Sequence, residues 1–310
     1  MGTPTATQTT FLAIPDREAG VASYAILQLP YEGSVSYGQG TALAPSAIVN
    51  ASAQVELYDP EVELDLEILN IHNPAPIEQL EGEDVEDYLN RADTIAKDLH
   101  DQGMLVLGLG GDHSITPALV RAARASRCAP DDHVTVLHID AHADLRDSYD
   151  GSKHSHACAM KRVLDDGVDR VLSIGIRSGE KAEFELSDTD ERIFTVTAQD
   201  LHKYPSAVEV ALDKIKTISG KLYITFDIDA LEVHLCPGTG TPEPGGLGWW
   251  DALRFVRAGF METPNAQVIG ADIVETVPMQ GTSVNEFTAA KLATKFLAYH
   301  KARRLELDTH

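Results

Sequence analysis

Hydrophobic and polar positions along the chain fall into two alternating rhythms. Seven short runs are almost continuously apolar and rich in β-branched residues: 23–29, 104–109, 134–139, 170–176, 192–196, 221–228 and 267–274. Such runs suit strands buried on both faces. Between them lie segments with helical spacing at 83–100, 114–125, 207–218, 249–259 and 283–300. In the first of these, Val85, Leu89, Ala92, Ile95, Ala96 and Leu99 share one face. Strands alternating with helices predict an α/β fold, a mostly parallel sheet with helices on both faces. No Pro/Gly/Ser-rich linker or internal repeat divides the chain. Residues 1–310 are therefore expected to form one domain, with 1–20 a partly loose N-terminal tail. The acidic stretch 59–69 reads as an exposed connection or edge element.

Composition narrows the class. No run of 18 apolar residues predicts a membrane span, and the N-terminus lacks the charged and apolar regions of a signal peptide. Cys128, Cys158 and Cys236 are widely separated and have no CxxC spacing, which fits a reducing cytoplasm and leaves no pattern that would activate a nucleophile. The 48 acidic side chains against 25 basic ones give a formal charge of −23. This disfavours a nucleic-acid partner. It fits a solvated acidic surface, attraction of a cationic substrate, or both.

The chemistry lies at the ends of the apolar runs. Four of them finish in acids or histidines: GGDHS with Asp112 and His113, HIDAHAD with Asp140, His142 and Asp144, FDID with Asp227 and Asp229, and ADIVE with Asp272 and Glu275. A strand-end acid can simply cap the turn that follows. Four such clusters at one edge of a parallel sheet point instead to a ligand, because that edge is where open α/β sheets bind. Oxygen donors dominate, imidazole is present and no cluster contains Cys, a set that suits Mn²⁺ or a related divalent ion better than structural zinc. The donors are too many for one ion, but two ions can share carboxylates. The alternation in Asp140-x-His142 and Asp227-x-Asp229 turns two donors to the same side. A two-metal site supplies hydroxide at neutral pH and stabilises a tetrahedral intermediate.

GGDHS (110–114), HIDAHADLRD (138–147), SHACAMKR (155–162), FDIDALE (226–232), PGTGTPEPGG (237–246) and GADIVE (270–275) together resemble the ureohydrolase family of arginases and agmatinases, in order and at compatible spacing. The resemblance runs from about Leu27 to the end of the chain. It implies a three-layer α/β/α fold, two Mn²⁺ per subunit, a homotrimer or homohexamer, and hydrolysis of a guanidino group to urea and an amine. By motif, His113, Asp140, Asp144 and Asp227 would hold one ion, and Asp140, His142, Asp227 and Asp229 the other, with Asp140 and Asp227 bridging. Glu275 would pair with the guanidinium. His156, preferred to His154, would shuttle a proton, and Asp144 could orient the attacking hydroxide. His138, inside its strand, reads as a buried hydrogen-bonded histidine. His72, His100, His133, His202, His300 and His310 carry no ligand pattern.

The substrate's tail is less fixed. SIGIRS (173–178), with Ser178 and Arg146 where arginases tend to have other residues, and the loop GSVSYGQGTALAPSAI (33–48) are similar to the agmatinase branch. They favour agmatine, a small cation, giving putrescine and urea. Departures from the family pattern at Thr41-Ala42-Leu43, Val49, Glu232-Val233, His234 and Cys236 leave 4-guanidinobutanoate, 3-guanidinopropanoate, guanidine and arginine open. Arg146 either reaches the pocket, favouring a carboxylate tail, or pairs with a neighbour such as Asp147 or Asp150. A one-zinc deacetylase of related fold is opposed by His113 together with Asp229. A scaffold that has lost catalysis would be expected to lack ligands, and none is missing.

Overall fold

The computed structural model describes residues 9–34 and 36–309. The rest of the expected tail (1–8), Val35 of the N-terminal loop and His310 lie outside the described residues. Ten strands are present among the described residues: β1 Tyr24–Leu29, β2 Tyr58–Asp59, β3 Leu64–Asp65, β4 Ile71–His72, β5 Leu105–Gly110, β6 Val134–Ile139, β7 Arg170–Ile176, β8 Ile193–Thr197, β9 Ser219–Asp227 and β10 Asn265–Val274. Eight of them form one sheet in the order β4-β1-β5-β10-β9-β6-β7-β8, with every neighbouring pair parallel. All seven expected strands are in it. The last two strands in sequence, β9 and β10, insert between β5 and β6, so the four strands that end in polar clusters are consecutive neighbours.

Helices cover both faces: α1 Ala44–Ser52, α2 Val85–Asp101, α3 Thr116–Arg127, α4 Ala159–Asp165, α5 Lys181–Thr189, α6 Ala198–Lys203, α7 Pro205–Lys216, α8 Trp249–Met261 and α9 Val284–Asp308. Strand alternation sends Leu137, Ile139, Ile224, Phe226 and Ile273 into the core under α1, α7, α8 and α9. Val134, Val136, Tyr223 and Ile269 go to the opposite core, under α2, α3 and α4. This is the expected three-layer α/β/α arrangement.

Two expectations change. The 59–69 stretch is not simply exposed. β2 and β3 pair antiparallel, Leu66 and Leu69 are buried, and Lys295 of α9 reaches Asp59 at 2.9 Å and Glu61 at 2.7 Å. The acids there answer a buried lysine, which no local pattern could announce. The tail expected over 1–20 is anchored from residue 11. Phe11, Leu12 and Ile14 are buried, and the backbone N–H groups of Phe11 and Leu12 donate to Asn73 and Ser52.

Candidate metal centre

The turns that follow β5, β6, β9 and β10 bring His113, Asp140, His142, Asp144, Asp227, Asp229 and Glu275 to one edge of the sheet. Each turn is built for this. Gly111 has no room for a side chain, because a Cβ there would lie 1.8 Å from the Tyr31 carbonyl oxygen. The Glu275 N–H donates to the Gly111 carbonyl at 2.8 Å, tying the end of β10 to the GGDH turn. Asp140 and Asp227 each use Oδ1 to cap their own turn, accepting the N–H of His142 at 2.6 Å and of Asp229 at 2.8 Å. Their Oδ2 atoms turn to His113. A strand-end acid that caps its turn with one oxygen thus keeps the other turned toward the donor set. Asp144 and Glu275 hold positive φ angles of 53° and 63°. Backbone strain at non-glycine residues of this kind collects at functional sites.

The donors fall into two groups. His113 Nδ1 lies 3.1 Å from Asp140 Oδ2, 3.1 Å from Asp144 Oδ2 and 3.5 Å from Asp227 Oδ2. His142 Nδ1 lies 2.9 Å from Asp229 Oδ2 and 3.7 Å from Asp140 Oδ1. The two oxygens of Asp140 therefore face the two groups, Oδ2 the first and Oδ1, which also caps its turn, the second. His113 Nδ1 is buried and makes no hydrogen bond, although three carboxylate oxygens surround it. Donors that crowd without bonding one another are placed for an ion between them, and the oxygen-rich set fits a pair of hard or borderline divalent cations.

Electrostatics give the same answer. Burial raises the pKa of Asp227, and Asp229 and Asp140 raise it further, well above the usual carboxylate range. Burial and Asp140 also raise Asp229. Burial acts against a charged His142, yet Asp229 outweighs it and lifts the imidazole to about 10. His113 is likewise lifted against burial, by Asp140, Asp144 and Asp227. The carboxylates demand positive charge.

A polar layer beneath the donors orients them. Thr225 Oγ1 donates to Asp272 Oδ1 at 2.6 Å, so it can only accept from His113 Nε2, 2.9 Å away. That contact places the ring proton on Nε2 and leaves Nδ1 its lone pair. Asp272, counted from the sequence among the strand-end acids, is thus a buried support one step removed and also accepts from Tyr223 at 2.8 Å. His138 approaches Asp140 Oδ2 at 2.8 Å through Nε2 and Ser173 Oγ at 3.0 Å through Nδ1. With both nitrogens engaged it steadies Asp140 and has no lone pair for an ion.

A cavity of about 20 Å³ among Ser36, His113, His142, Asp144, His156 and Glu275 opens into an outer one of about 270 Å³. Glu275 Oε1 accepts the His113 N–H at 2.8 Å, and burial, then Asp112, raises its pKa well above the usual range. His156 stands where the cavities meet, and His154 lines neither. Ser34 Oγ donates to Asp112 at 3.1 Å, so His156 Nδ1, 3.1 Å away, must be the donor to that hydroxyl. In the neutral ring Nε2 then keeps its lone pair and faces the Ser36 hydroxyl at 2.9 Å, which divides its single proton between Nε2 and the Tyr149 hydroxyl 3.5 Å away. Thr225 gives no signal in the sequence, and Ser34 and Ser36 are marked there only as part of the 33–48 loop, because a lone hydroxyl in a strand or loop has no pattern that assigns it a role.

Arg146 lines the outer cavity but is already engaged. It pairs with Glu180 at 3.0 Å and Glu183 at 3.4 Å and stacks on Tyr149 at 4.6 Å. Those are not the partners expected from the sequence. Asp147 instead pairs with Arg162 at 3.0 Å. Glu243 also lines the outer cavity, 3.9 Å from His142. His234 is exposed, Cys236 is a buried thiol pushed up to about 12 by burial, and neither lines either cavity. No helix of the described residues is long and apolar enough to cross a membrane.

The Arginase family profile matches residues 22–299. Over 285 residues the chain is 37% identical to the N(1)-aminopropylagmatine ureohydrolase of Synechocystis sp., spanning 90% of this chain and 89% of that protein. It is 31% identical to the agmatinase of Pyrococcus horikoshii, spanning 91% and 93% of the two chains. The crystal structure of agmatine ureohydrolase of Thermoplasma volcanium matches with a TM-score of 0.85 at 30% identity, over 98% and 97% of the two chains.

Proposed function

The chain belongs to the arginase family of ureohydrolases, and from this we propose that it hydrolyses the guanidino group of an amine-tailed substrate, agmatine foremost, to urea and putrescine. Water adds at the guanidino carbon, the bond to the alkylated nitrogen breaks, and that nitrogen leaves as a primary amine. The observation that carries the reading is Glu275 fixed beside the donor set in the inner cavity. A guanidinium there meets a carboxylate capable of a charge-assisted contact.

His113, Asp140, Asp144 and Asp227 would hold one divalent ion, and Asp140, His142, Asp227 and Asp229 the other; we take both as Mn²⁺. When bound, such a pair supplies Lewis-acid charge and an activated water. Asp144 orients the nucleophile. His156 Nε2 accepts a proton and returns it to the leaving amine. Glu243 and the already engaged Arg146 make the outer cavity suited to an ammonium tail rather than a carboxylate. A second reading, N(1)-aminopropylagmatine, rests on the 270 Å³ of that outer cavity, which leaves room beyond a four-carbon chain, and on the relative of that name.

Urea release from the Mn²⁺-loaded protein should be compared at equal concentrations of agmatine, N(1)-aminopropylagmatine, arginine, 4-guanidinobutanoate, 3-guanidinopropanoate and guanidine. Preference for either amine-tailed compound is expected. Preference for a carboxylate tail would overturn the specificity and return Arg146 to the tail site. No urea from a metal-loaded chain would overturn the activity.

A further inference from the structure

The sheet edge opposite the metal centre carries a second polar cavity, of about 190 Å³, at the start of β1, β5 and β10. Ser23, Tyr24 and Leu105 line it from the sheet. Arg127 enters from the last turn of α3, and His300, Lys301 and Arg304 come from one face of α9. Several basic side chains of this chain, Arg170 and Lys203 among them, have no carboxylate oxygen within 4.0 Å among the described residues; what distinguishes this cavity is that three such cations share it. Arg303, one position away on α9, pairs with Glu306 at 3.3 Å. Among the described residues, Arg127, Lys301 and Arg304 have no carboxylate oxygen within 4.0 Å.

Other observations set these cations apart. Arg127 donates one guanidinium N–H to the Met104 carbonyl, but its Nε is buried and has no hydrogen-bond partner. Of the nearby acids, Asp101 is engaged with Lys97 at 2.5 Å, and Asp308, exposed like Arg304, lines the same cavity without an ion pair to any of the three cations. The third member of the α9 face adds no positive charge. Burial, then the charges of Arg304, Arg127 and Lys301, push His300 down to about 4, and its Nδ1 lies 3.1 Å from the Tyr24 hydroxyl. Three like charges thus converge on one cavity with no acid paired to them. Solvent screens the exposed Arg304 and the half-exposed Lys301, but the buried Nε of Arg127 has no such relief, and a bound anion would answer it and the two α9 cations together.

We propose that this cavity is a second ligand site, remote from the metal centre, which takes a compact multivalent oxyanion held by Arg127, Lys301 and Arg304. Phosphate and small polycarboxylates share the required chemistry: several acceptor oxygens and at least two negative charges. Arginine forks suit either group, and the lysine adds a mobile point charge. The volume exceeds that of a single phosphate, so an organic body can accompany the charged group.

The test is calorimetric titration of the metal-loaded full chain with inorganic phosphate and, separately, with tricarballylate, at fixed ionic strength. The same titrations are run on the double variant Lys301→Gln/Arg304→Gln. Saturable binding that weakens by about tenfold or more in the double variant is expected, since two of three charge-assisted contacts are removed. A phosphate-only response would identify a phosphate ligand, and a shared response the general oxyanion chemistry. Either supports the site. The double variant should release urea as the parent does. In anion-free buffer its melting temperature should not fall, because the change relieves repulsion. No saturable binding of either anion, or equal affinity in parent and variant, would overturn the proposal. So would a change in sedimentation of the variant with no anion bound to the parent, which would assign the cations to a contact with a second copy of the chain.

Discussion

Two histidines of the candidate centre are held by the same device in different settings. His113 leans on Thr225, whose proton is committed to Asp272. His156 leans on Ser34, whose proton is committed to Asp112. In both, an aspartate fixes a hydroxyl, the hydroxyl fixes the ring proton, and the far nitrogen keeps its lone pair. The settings differ. Thr225 and Asp272 lie in neighbouring central strands and are wholly buried. Ser34 belongs to the loop after β1, and His156 is partly exposed where the two cavities meet. A metal ligand needs its lone pair held still. A proton carrier needs a defined tautomer and access to the leaving group. The same chemistry serves either need, and the rigidity of the element beneath decides which.

The strongest challenge to this comparison removes the centre itself. Asp227→Asn should lose bound metal and at least about 10³-fold in turnover, beyond the 10–100-fold expected of changes outside the ligand set. Full metal content by elemental analysis, with normal urea release, would dissolve the assignment. Next comes the rigid relay. Thr225→Val keeps the shape of the side chain but leaves His113 Nε2 without its acceptor. Metal affinity should fall by about 10–100-fold, with turnover largely recovered at saturating metal. Unchanged affinity would mean that packing alone aims the ring. The loop relay gives a smaller effect of a different kind. Ser34→Ala should leave metal affinity intact, lower kcat by about tenfold and displace the pH profile of kcat, with Ser34→Thr restoring both. If metal affinity fell instead, His156 would belong with the ligands and the contrast would fail.

How much of this was readable beforehand follows from the same contrast. The seven central strands stood out because buried parallel strands are apolar throughout. The donor set stood out because Asp-x-His and Asp-x-Asp at strand ends have a spacing. Thr225 and His138 sit inside those same apolar runs. Their meaning depends on which neighbouring strand faces them, and β9 lies beside β6 only because the last strands of the chain insert into the middle of the sheet. Ser34 depends on a loop folding back over a turn some eighty residues away. The short elements α1, α4, α5, α6 and β4 were missed because a few residues held by tertiary contacts show no period. Arg146 stayed open between pocket and ion pair, and the structure gives it both, because Glu180 and Glu183 approach it at the cavity wall only through the packing of α5.

His100, a buried histidine, has neither the relay nor a ring of carboxylates around it and shows what burial does without them. His100, in the last turn of α2, donates from Nδ1 to the Met104 carbonyl at 3.1 Å, with no hydroxyl–aspartate pair behind it. Burial then prevails, helped by the charge of Arg127, and its pKa falls from 6.5 to about 4. In the unfolded chain the same imidazole regains its ordinary value, so between these limits the unfolded state binds the extra proton. The contribution is complete above pH 6.5 and is lost as the pH falls toward 4, at most about 3 kcal/mol from this one group. His100→Asn keeps a donor for Met104 and removes the titration. Its melting temperature should fall less steeply than the parent's from pH 6.5 to 4.5, with metal affinity at neutral pH unchanged. Equal slopes would show that His100 finds a charged partner in the fold, and that burial without a relay does not by itself keep a histidine neutral here.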